Sequence, residues 1–572
     1  MLFLAIALAC CNYADAQLLI NGVPTFSDDN SNIILCTIGK EQFGQNFTAV
    51  IKADIMSGWK NITVNGEKLE KNSLTINDGK LKKNSITFKD VRGDKEYVVQ
   101  YYKGQKLFVK RLMFTYLPIM QLKGDFGYDY INATATLVTP EGDIDREMGA
   151  KIKWRGGFTN GANRHKRNYS IKFVDVNGEK QNRKLLGMRR DNHWKLDAAQ
   201  VDMSRVRNRV ATDLWLDMAH EPYYYDQAPD VLTGARGEMI ELFVNNEYMG
   251  IYSLMECVDR KQLQIRKYDE QSGLFRGAMW LANEWSTVTA FKKLVNYNNN
   301  QNSFDHFEVE YPEFEEVCPT EHKAMYDALK FVVNGTMSRF NSEVENYFDM
   351  PVIIDYAIFN QVLNAIDNEV NNIFWVIYDS SIDKKFTLAV WDLDWSAGMN
   401  RNAPDFRGGR AAPDYDYEFS NRLLHRLENP DCVYHRVMVE RYWELRKTCL
   451  SNKSLAKRYS DAIDRLIDCG AAARESARWS GDSDINGLKL DFAAEKEFII
   501  DWLNKRLAHL DRTLMRHPAD VNADGAVNVA DLSAIHSYIL NGSSPFDTCD
   551  VNGDGAVNAA DITYLNNIIF GK

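Results

Sequence analysis

Apolar and polar residues alternate over short runs between residues 17 and 116. Stretches such as FTAVIKADI, NSITFKDV and EYVVQYY have the period of two that half-buried strands show. Asn-Gly and Asp-Gly pairs between them are typical of tight turns. The pattern predicts a small, immunoglobulin-like β-sandwich, and nothing in it indicates catalysis, so its expected role is that of a spacer or a ligand-binding module.

The strand pattern continues beyond this segment and then gives way to helices. Residues 203–219, MSRVRNRVATDLWLDMA, have the i, i+3, i+4, i+7 spacing of an amphipathic helix inserted among strands. From residue 321 to 365, and again from 417 to 515, the pattern is mostly helical. A strand-rich half followed by a helix-rich half predicts a two-lobed enzyme domain over residues 117–515, with a cleft between its lobes.

Two carboxylates follow an apolar stretch in the second half, FTLAVWDLDWSAG, residues 386–398. If the strand continues through them, its alternation places Asp392 and Asp394 on one face, ~6.6 Å apart, with both tryptophans on the other. Their repulsion of ~2.5 kcal/mol at an effective dielectric constant near 20 favours a neighbouring cation, proton or arginine. The alternative is an exposed strand end with two solvated aspartates.

A second polar element precedes this one, in NAIDNEVNNIFWVIYDSS, where Asp367 is followed five residues later by Asn372 and an apolar strand. The two segments together predict a hairpin with carboxylates at one end. In phosphoryl transfer by protein kinases, an Asp orients the attacking hydroxyl, while an Asn five residues on and a further Asp hold Mg²⁺. A loop with capping Asp and Asn is the simpler alternative, and the G-x-G-x-x-G, H-R-D and D-F-G sequences of ordinary kinases are absent.

The clearest repeat lies at the C-terminus, where DVNADGAVNVAD begins at Asp520 and DVNGDGAVNAAD begins thirty residues later at Asp550. Each fits a calcium loop with oxygen ligands at alternate positions, a glycine at the sharp turn and a closing carboxylate that opens a helix. The loops predict two Ca²⁺ ions. Their expected ligands are Asp520, Asn522, Asp524, Ala526 (by its carbonyl), Asn528 and Asp531 in the first, and Asp550, Asn552, Asp554, Ala556 (by its carbonyl), Asn558 and Asp561 in the second.

Charge and hydropathy limit the classes of partner that the chain can bind and indicate where it is located. A net charge of -11 argues against nucleic acid or an anionic membrane as the main partner. Residues 1–16, MLFLAIALACCNYADA, have the apolar run and A-D-A ending of a secretory signal peptide, with Cys10 or Cys11 as an alternative lipid-attachment site. No later stretch approaches the ~20 apolar residues of a spanning helix, so the mature chain is expected to be secreted or attached to a cell surface.

The middle of the chain resembles the CotH (spore coat protein H) kinase family over roughly residues 117–510. The resemblance rests on KWRGG and KRNYSIKF, on HWKLDAAQVDMSRVRNRVATDLW, on IELFVNNEYMGIYSLMECVD, on DNEVNNIFWVIYD and on AVWDLDWSAG. It implies a two-lobed atypical kinase that binds ATP and Mg²⁺ and phosphorylates protein Ser/Thr. Its expected site residues are Asp367 (catalytic), Asn372 and Asp392 (Mg²⁺), Asp394 (second acidic position), Lys172 (phosphate) and Glu256 (near the nucleotide, or purely structural).

The duplicated loop-helix of residues 518–572 resembles a type I dockerin, which implies a cohesin-bearing partner in a cellulosome-like complex. Val529-Ala530 and Ala559-Ala560 stand where many dockerins have Ser-Thr. The expected architecture is multidomain α+β: a β-sandwich, a two-lobed kinase-like domain and a dockerin. The expected function is that of a secreted atypical Ser/Thr kinase anchored through its dockerin to a protein scaffold.

Two other function classes stay open. One is a catalytically inactive fold used for adhesion or binding, with an acceptor protein still unknown. The other is an accessory role in polysaccharide degradation, in which paired acids serve a glycoside hydrolase or a nucleotide-sugar site. Hydrolysis is disfavoured because Asp392 and Asp394 are two residues apart on one segment, instead of facing a sugar from separate strands.

Overall fold

The computed structural model of the chain describes residues 18–53, 59–69, 84–157, 161, 165–269, 271, 276–297, 303–313, 322–399, 406–407, 410–416, 418–483, 487–542 and 549–570. The predicted signal peptide, residues 1–16, lies outside them. Their α-helices are α1 (Arg207–Met218), α2 (Lys323–Asn334), α3 (Met337–Glu343), α4 (Met350–Leu363), α5 (Arg422–His425), α6 (Val433–Arg446), α7 (Asn452–Asp468), α8 (Ala471–Arg478), α9 (Phe492–Leu510), α10 (Val529–Asn541) and α11 (Ala559–Phe570). Short 3₁₀ helices occur at Lys40–Gln42, Tyr225–Gln227, Val344–Asn346, Ile366–Glu369 and Arg426–Glu428.

The strands are β1 (Leu18–Ile20), β2 (Val23–Pro24), β3 (Phe26–Asp28), β4 (Ile33–Thr37), β5 (Phe47–Ala53), β6 (Trp59–Val64), β7 (Glu67–Lys68), β8 (Ser85–Phe88), β9 (Tyr97–Lys103), β10 (Lys106–Thr115), β11 (Ile119–Lys123), β12 (Ile131–Val138), β13 (Ile144–Arg155), β14 (Asn168–Phe173), β15 (Arg183–Lys184), β16 (Arg190–Asp191), β17 (His193–Asp197), β18 (Gly237–Val244), β19 (Glu247–Met255), β20 (Ala278–Ala282), β21 (Ser303–Phe304), β22 (Phe307–Tyr311), β23 (Ile373–Ile377), β24 (Thr387–Val390), β25 (Phe406–Arg407) and β26 (Arg410–Ala411). The chain is therefore a multidomain protein of mixed helix and sheet. It divides into two compact units: the first comprises residues up to Val206 with Arg236–Cys257 and Asp461–Glu495, and the second comprises the remainder.

The N-terminal part of the first unit consists of two sheets, ordered β2-β1-β5-β8 and β3-β4-β10-β9-β6-β7. Both contribute to one core, which includes Ile20, Phe47, Val99 and Phe114. The alternation seen in the sequence is realised in β9, whose residues are alternately buried and exposed from Tyr97 onward. These two sheets thus have the two-layer arrangement of a β-sandwich.

A closed barrel follows in the same unit, with strand order β11-β12-β13-β14-β17-β19-β18. Side chains such as Ile152, Ile171 and Trp194 fill its interior. Because side chains alternate along a strand, the lysines that neighbour these residues in sequence lie on the outer face of the barrel. The strands predicted up to residue 265 are thus closed into a barrel, a feature that the sequence did not predict.

The second unit contains a five-stranded sheet, ordered β21-β22-β20-β23-β24, and most of the helices. The helix predicted over residues 203–219 is α1, which begins at Arg207. Helix α4 is buried on nearly every side, Pro351 being its one exposed residue. At the C-terminus, each of the two repeats forms a loop followed by a helix, and the repeats share a small core that includes Val521, Ile535, Val551 and Leu565.

Candidate functional site

Strands β23 and β24 form the antiparallel hairpin that the sequence predicted. Ile373 lies opposite Val390, so the residues just before β23 and just after β24 meet at one end of the hairpin. Asn372 immediately precedes β23, and its backbone N–H donates to the carbonyl of Ala282 at 2.8 Å. This end of the hairpin brings together the second-unit residues to which the sequence assigned phosphoryl-transfer roles.

Asp367 and Asn372 are in direct contact at this end. The Asn372 side-chain amide donates to Oδ2 of Asp367 at 2.9 Å, and the indole N–H of Trp285 donates to Oδ1 at 3.0 Å. Burial raises the pKa of Asp367, and the hydrogen bonds from Trp285, Asn371 and Asn372 act in the opposite direction. The carboxylate is therefore held in one orientation by donors on three sides, although it stays half-buried.

The predicted alternation across Asp392 and Asp394 is wrong. Strand β24 ends at Val390, and Asp392 has a left-handed backbone with φ of 56°, which breaks the period of two. Asp392 is exposed and Asp394 half-buried, while Leu393 between them is fully buried. The two tryptophans are only half-buried, and the ring of Trp391 packs edge-on against Phe374 at 6.2 Å. The carboxylates therefore project from a loop and not from one face of a strand.

Three buried polar residues that the sequence did not single out fix this loop. Oδ1 of Asn208 in α1 accepts the backbone N–H of Leu393 at 3.0 Å, and the amide of Asn368 donates to the carbonyl of Trp391 at 2.7 Å. Nε of Arg207 donates to the carbonyl of Ser396 at 3.0 Å. For Arg207 and Asn208, the signal in the sequence was the run RVRNRV, which places polar side chains on the face of a helix that must be buried.

The two expected site residues of the first unit have separate surroundings. Lys172 lies on the outer face of β14, and its Nζ lies 4.6 Å from the ring centroid of Tyr130. Glu256 is buried directly after β19, where Arg236 binds both of its carboxylate oxygens and the backbone N–H of Arg189 donates to Oε1 at 2.7 Å. Glu256 is thus paired with Arg236 and not with Lys172, and this pairing supports the structural alternative for Glu256.

In the first C-terminal loop, carboxylate oxygens accept hydrogen bonds from the backbone of the loop itself. Asp520 accepts the backbone N–H groups of Asp524 and Gly525, and Asp531 accepts those of Asn522 and Asn528. Burial raises the pKa of Asp520, and the neighbouring carboxylates of Asp531 and Asp524 raise it further. A cation placed between these carboxylates relieves that repulsion.

The second loop repeats the arrangement. Asp550 accepts from Gly553 and Gly555, and Asp561 accepts from Asn552 and Asn558. In the described part of the chain, no three His, Cys, Asp or Glu side chains form a metal site by themselves. Calcium loops instead combine carboxylates with amide and backbone carbonyl oxygens, and both loops contain that donor set, so their residues fit Ca²⁺.

Comparison with known proteins identifies the family. The CotH kinase protein family model matches residues 152–510, which is more than half of the 572 residues, and the chain therefore belongs to the CotH family. A type I dockerin domain model matches residues 518–570. Dockerins typically bind calcium and imply a cohesin partner. No curated protein matches the chain.

One further finding concerns membranes. Among the described residues, no helix combines the length and the apolar character that crossing a membrane requires.

Proposed function

We propose that this protein is an exported atypical kinase that transfers the γ-phosphate of ATP to Ser or Thr of another protein. The observation that carries the proposal is the β23–β24 hairpin, whose register gathers Asp367, Asn372 and the Asp392 loop at one end. Protein kinases use an Asp, an Asn five residues later and a further Asp in the same order for phosphoryl transfer. Membership of the CotH family supports the same chemistry.

Each residue has a distinct role in this proposal. Asp367, held by Trp285 and Asn372, orients the hydroxyl of the acceptor and takes its proton. Asn372 and Asp392 would hold Mg²⁺, with Asp394 beside them, since hard oxygen donors of this kind suit that ion. When bound, Mg²⁺ supplies charge neutralisation for the phosphates. Lys172, on the barrel, is assigned to a phosphate.

Calorimetric titration of the full chain with Mg²⁺ and ATP tests nucleotide binding. We expect Asp392→Ala to lose binding, because it removes a carboxylate that would hold Mg²⁺ in this proposal. Asp383→Ala is the matched control, since Asp383 lies in the connection at the opposite end of the hairpin. Absence of ATP binding by the unmodified chain would remove the kinase assignment.

The reaction itself is tested with labelled ATP and a seryl protein acceptor. Transfer of label is expected to disappear in Asp367→Asn, which keeps the size of the side chain but cannot take a proton and replaces one of its two acceptor oxygens by a donor. Equal transfer by Asp367→Asn and the unmodified chain would exclude Asp367 as the base.

We further propose that the C-terminal module binds two Ca²⁺ ions and anchors the chain to a cohesin. Retention on an immobilised cohesin in calcium, with release by EDTA, is the expected result. Retention that EDTA does not change would contradict a calcium-dependent anchor.

A binding or adhesion role is the second candidate. The observation that favours it is that both carboxylate oxygens of Asp367 already accept hydrogen bonds, from Trp285 and Asn372. An inactive protein is expected to show no label transfer and no change of partner binding in Asp367→Asn.

A further inference from the structure

The two C-terminal loops are almost the same sequence, but a residue from outside the module contacts them differently. The twelve-residue loops differ only at Ala523 against Gly553 and at Val529 against Ala559. Arg436, on α6, lies against the second loop: its Nη1 donates to the carbonyl of Asn552 at 2.7 Å, and its Nη2 lies 3.5 Å from the hydroxyl of Tyr564. This arginine therefore contacts the second repeat at two points.

The first repeat lacks the glycine and the tyrosine that the contact with Arg436 uses in the second repeat. A Cβ built on Gly553 would overlap Nη1 of Arg436, so the guanidinium occupies the space that glycine leaves. The first repeat has Ala523 at that position and Ala534 where the second has Tyr564. If the first repeat lay against Arg436, the Cβ of Ala523 would block the approach of the guanidinium to the carbonyl of Asn522. Ala534 would offer no hydroxyl in place of that of Tyr564.

A single face of α6 holds both the module and its linker. Arg436, Glu440 and Trp443 follow one another at i, i+4 and i+7, which places them on one side of the helix. Oε1 of Glu440 accepts Nε of Arg436 at 2.9 Å and fixes the direction of the guanidinium. The indole N–H of Trp443 donates to the carbonyl of Met515 at 2.8 Å, and its ring packs edge-on against His517 at 5.6 Å.

The first loop also has a neighbour, but one that cannot distinguish the repeats. The aliphatic part of Arg512 lies 3.1 Å from where a Cβ on Gly525 would be. The corresponding residue of the second loop, Gly555, is also glycine, so this contact would accept either repeat. Selection between the repeats therefore depends on Arg436.

We propose that the face of α6 formed by Arg436, Glu440 and Trp443 is a docking surface for the second calcium loop of the same chain. Gly553 and Tyr564 are the residues that select this loop over the first. Docking fixes the module in one of the two orientations that its internal repeat offers. A partner bound by the module is then held at one defined orientation to α6.

Limited trypsin digestion of the full chain in calcium measures this docking. Residues 517–571 contain no Lys or Arg, so cleavage after Arg516 releases the module as an intact fragment. Cleavage of a linker needs local release of its backbone, and the hydrogen bond from Trp443 to the carbonyl of Met515 opposes that release. We expect Arg436→Ala and Gly553→Ala to release the fragment several-fold faster than the unmodified chain.

Ala523→Gly is the matched control, because it makes the mirror change in the first loop, and its release rate is expected to equal that of the unmodified chain. The proposal is wrong if Gly553→Ala and Arg436→Ala are cleaved at the unmodified rate, or if Ala523→Gly accelerates release as much as Gly553→Ala does. Alanine at this loop position is compatible with folding, since Ala523 already adopts φ of 58° there. A calcium titration of each variant distinguishes undocking from the loss of a calcium site. Arg436→Ala tests docking without any change in the sequence of the module.

Discussion

At the scale of single residues, Asp392 combines a charge with an uncommon backbone conformation. Its φ of 56° lies in the left-handed region, which Asn and Asp visit more readily than other residues with a Cβ because their short polar side chains bond locally. Asn372, at the other side of the hairpin end, has φ of 58°. The choice of residue at both positions is therefore constrained by the turn as well as by any ligand.

Substitutions at Asp392 are expected to separate these two constraints. Asp392→Asn keeps a residue suited to the left-handed region and should unfold with the free energy of the unmodified chain, although it loses the charge that would hold Mg²⁺ in the proposed function. Asp392→Val should lose ~1–2 kcal/mol, because a β-branched side chain is strained there. Urea unfolding of both variants measures the difference, with Asp383→Val as the control in the hairpin connection. Equal losses in Asn and Val would contradict a conformational role.

The chemistry of individual residues was predictable only where it is local. The proposed calcium ligands follow from spacing within twelve residues, so Asp520 and Asp531 could be proposed from the sequence alone. The pairing of Glu256 with Arg236, and of Asn208 with the loop at Leu393, joins parts of the chain that only the fold brings together. Sequence periodicity carries no information on such contacts.

At the scale of elements, helix α8 is attached to the barrel through a buried charge network. Glu475, Lys166 and Arg205 are all fully buried, and Oε1 of Glu475 accepts from Lys166 at 2.8 Å and from Arg205 at 2.7 Å. Burial alone would raise the pKa of Glu475, but the two cations hold it below its usual range. Burial lowers the pKa of Lys166 to about 8, with Glu475 opposing that change.

Removing the carboxylate charge from this network is expected to be strongly destabilising. Glu475→Gln removes the carboxylate that pairs with both Lys166 and Arg205, and breaking a buried ion pair of this kind costs ~3–5 kcal/mol. Glu141→Gln, at an exposed site of the same unit, should cost little. Thermal and urea unfolding of the two variants provide the comparison, and a loss below ~1 kcal/mol in Glu475→Gln would mean that the network contributes little.

A second element-scale feature joins α4, α6 and the segment after α1. Asp355 is fully buried in α4, accepts Nε of Arg441 at 2.9 Å, and lies 2.6 Å from Nδ1 of His220. The hydrogen bond with Asp355 raises the pKa of His220 above 6.5, while burial acts in the opposite direction. Folding therefore makes protonation of the imidazole more favourable than it is in the unfolded chain.

Stability of this region is expected to fall as the pH rises. A raised pKa in the folded state means that the contribution of His220 is complete below pH 6.5 and is lost as the pH rises through the higher folded value. The free energy of unfolding, measured in urea between about pH 5.5 and 8.5, is expected to fall with pH in the unmodified chain. His220→Gln should lack the part of this fall that His220 causes. His306→Gln is the control, since its partner Glu284 is exposed. Parallel pH profiles for His220→Gln and the unmodified chain would contradict the assignment.

Elements differed in how well the sequence predicted them. The β23–β24 hairpin was predictable because two apolar stretches are flanked by polar residues at fixed spacing, and α1 because its apolar residues recur at helical intervals. The end of β24 was not predictable from the sequence. The strand ends at Val390, but the alternation of apolar residues continues through Trp391, Leu393 and Trp395. The parallel pairing of β11 with β18 joins Ile119 to Glu241, and no local pattern specifies a contact at that separation.

At the scale of the whole molecule, a CotH domain and a dockerin domain occur in one chain, and the C-terminal module contacts α6 through its second loop. The N-terminal sandwich packs on the barrel through a cluster that includes Phe26, Met113, Ile119 and Phe243. Specific contacts therefore join the sandwich to the barrel and the C-terminal module to α6.

Calcium is expected to control the folding of the C-terminal module within the full chain. Asp520 and Asp531 are buried close to Asp524, and their mutual repulsion is relieved when a cation binds between them. Addition of calcium to EDTA-treated protein should therefore raise helicity by the contribution of α10 and α11, and titration should find two ions. Asp524→Ala is expected to reduce the number to one, because it removes a carboxylate from the first loop alone.

Asp554→Ala is the matched variant in the second loop and should also leave one site. Since only the second loop contacts Arg436, Asp554→Ala should additionally speed tryptic release after Arg516, whereas Asp524→Ala should do so less. Mg²⁺ at the same concentration should not replace Ca²⁺, because it is smaller and demands a nearly octahedral set of ligands. Equal helicity in EDTA and in calcium would show that the loops fold without an ion and would remove the physical reason for their acidic sequence.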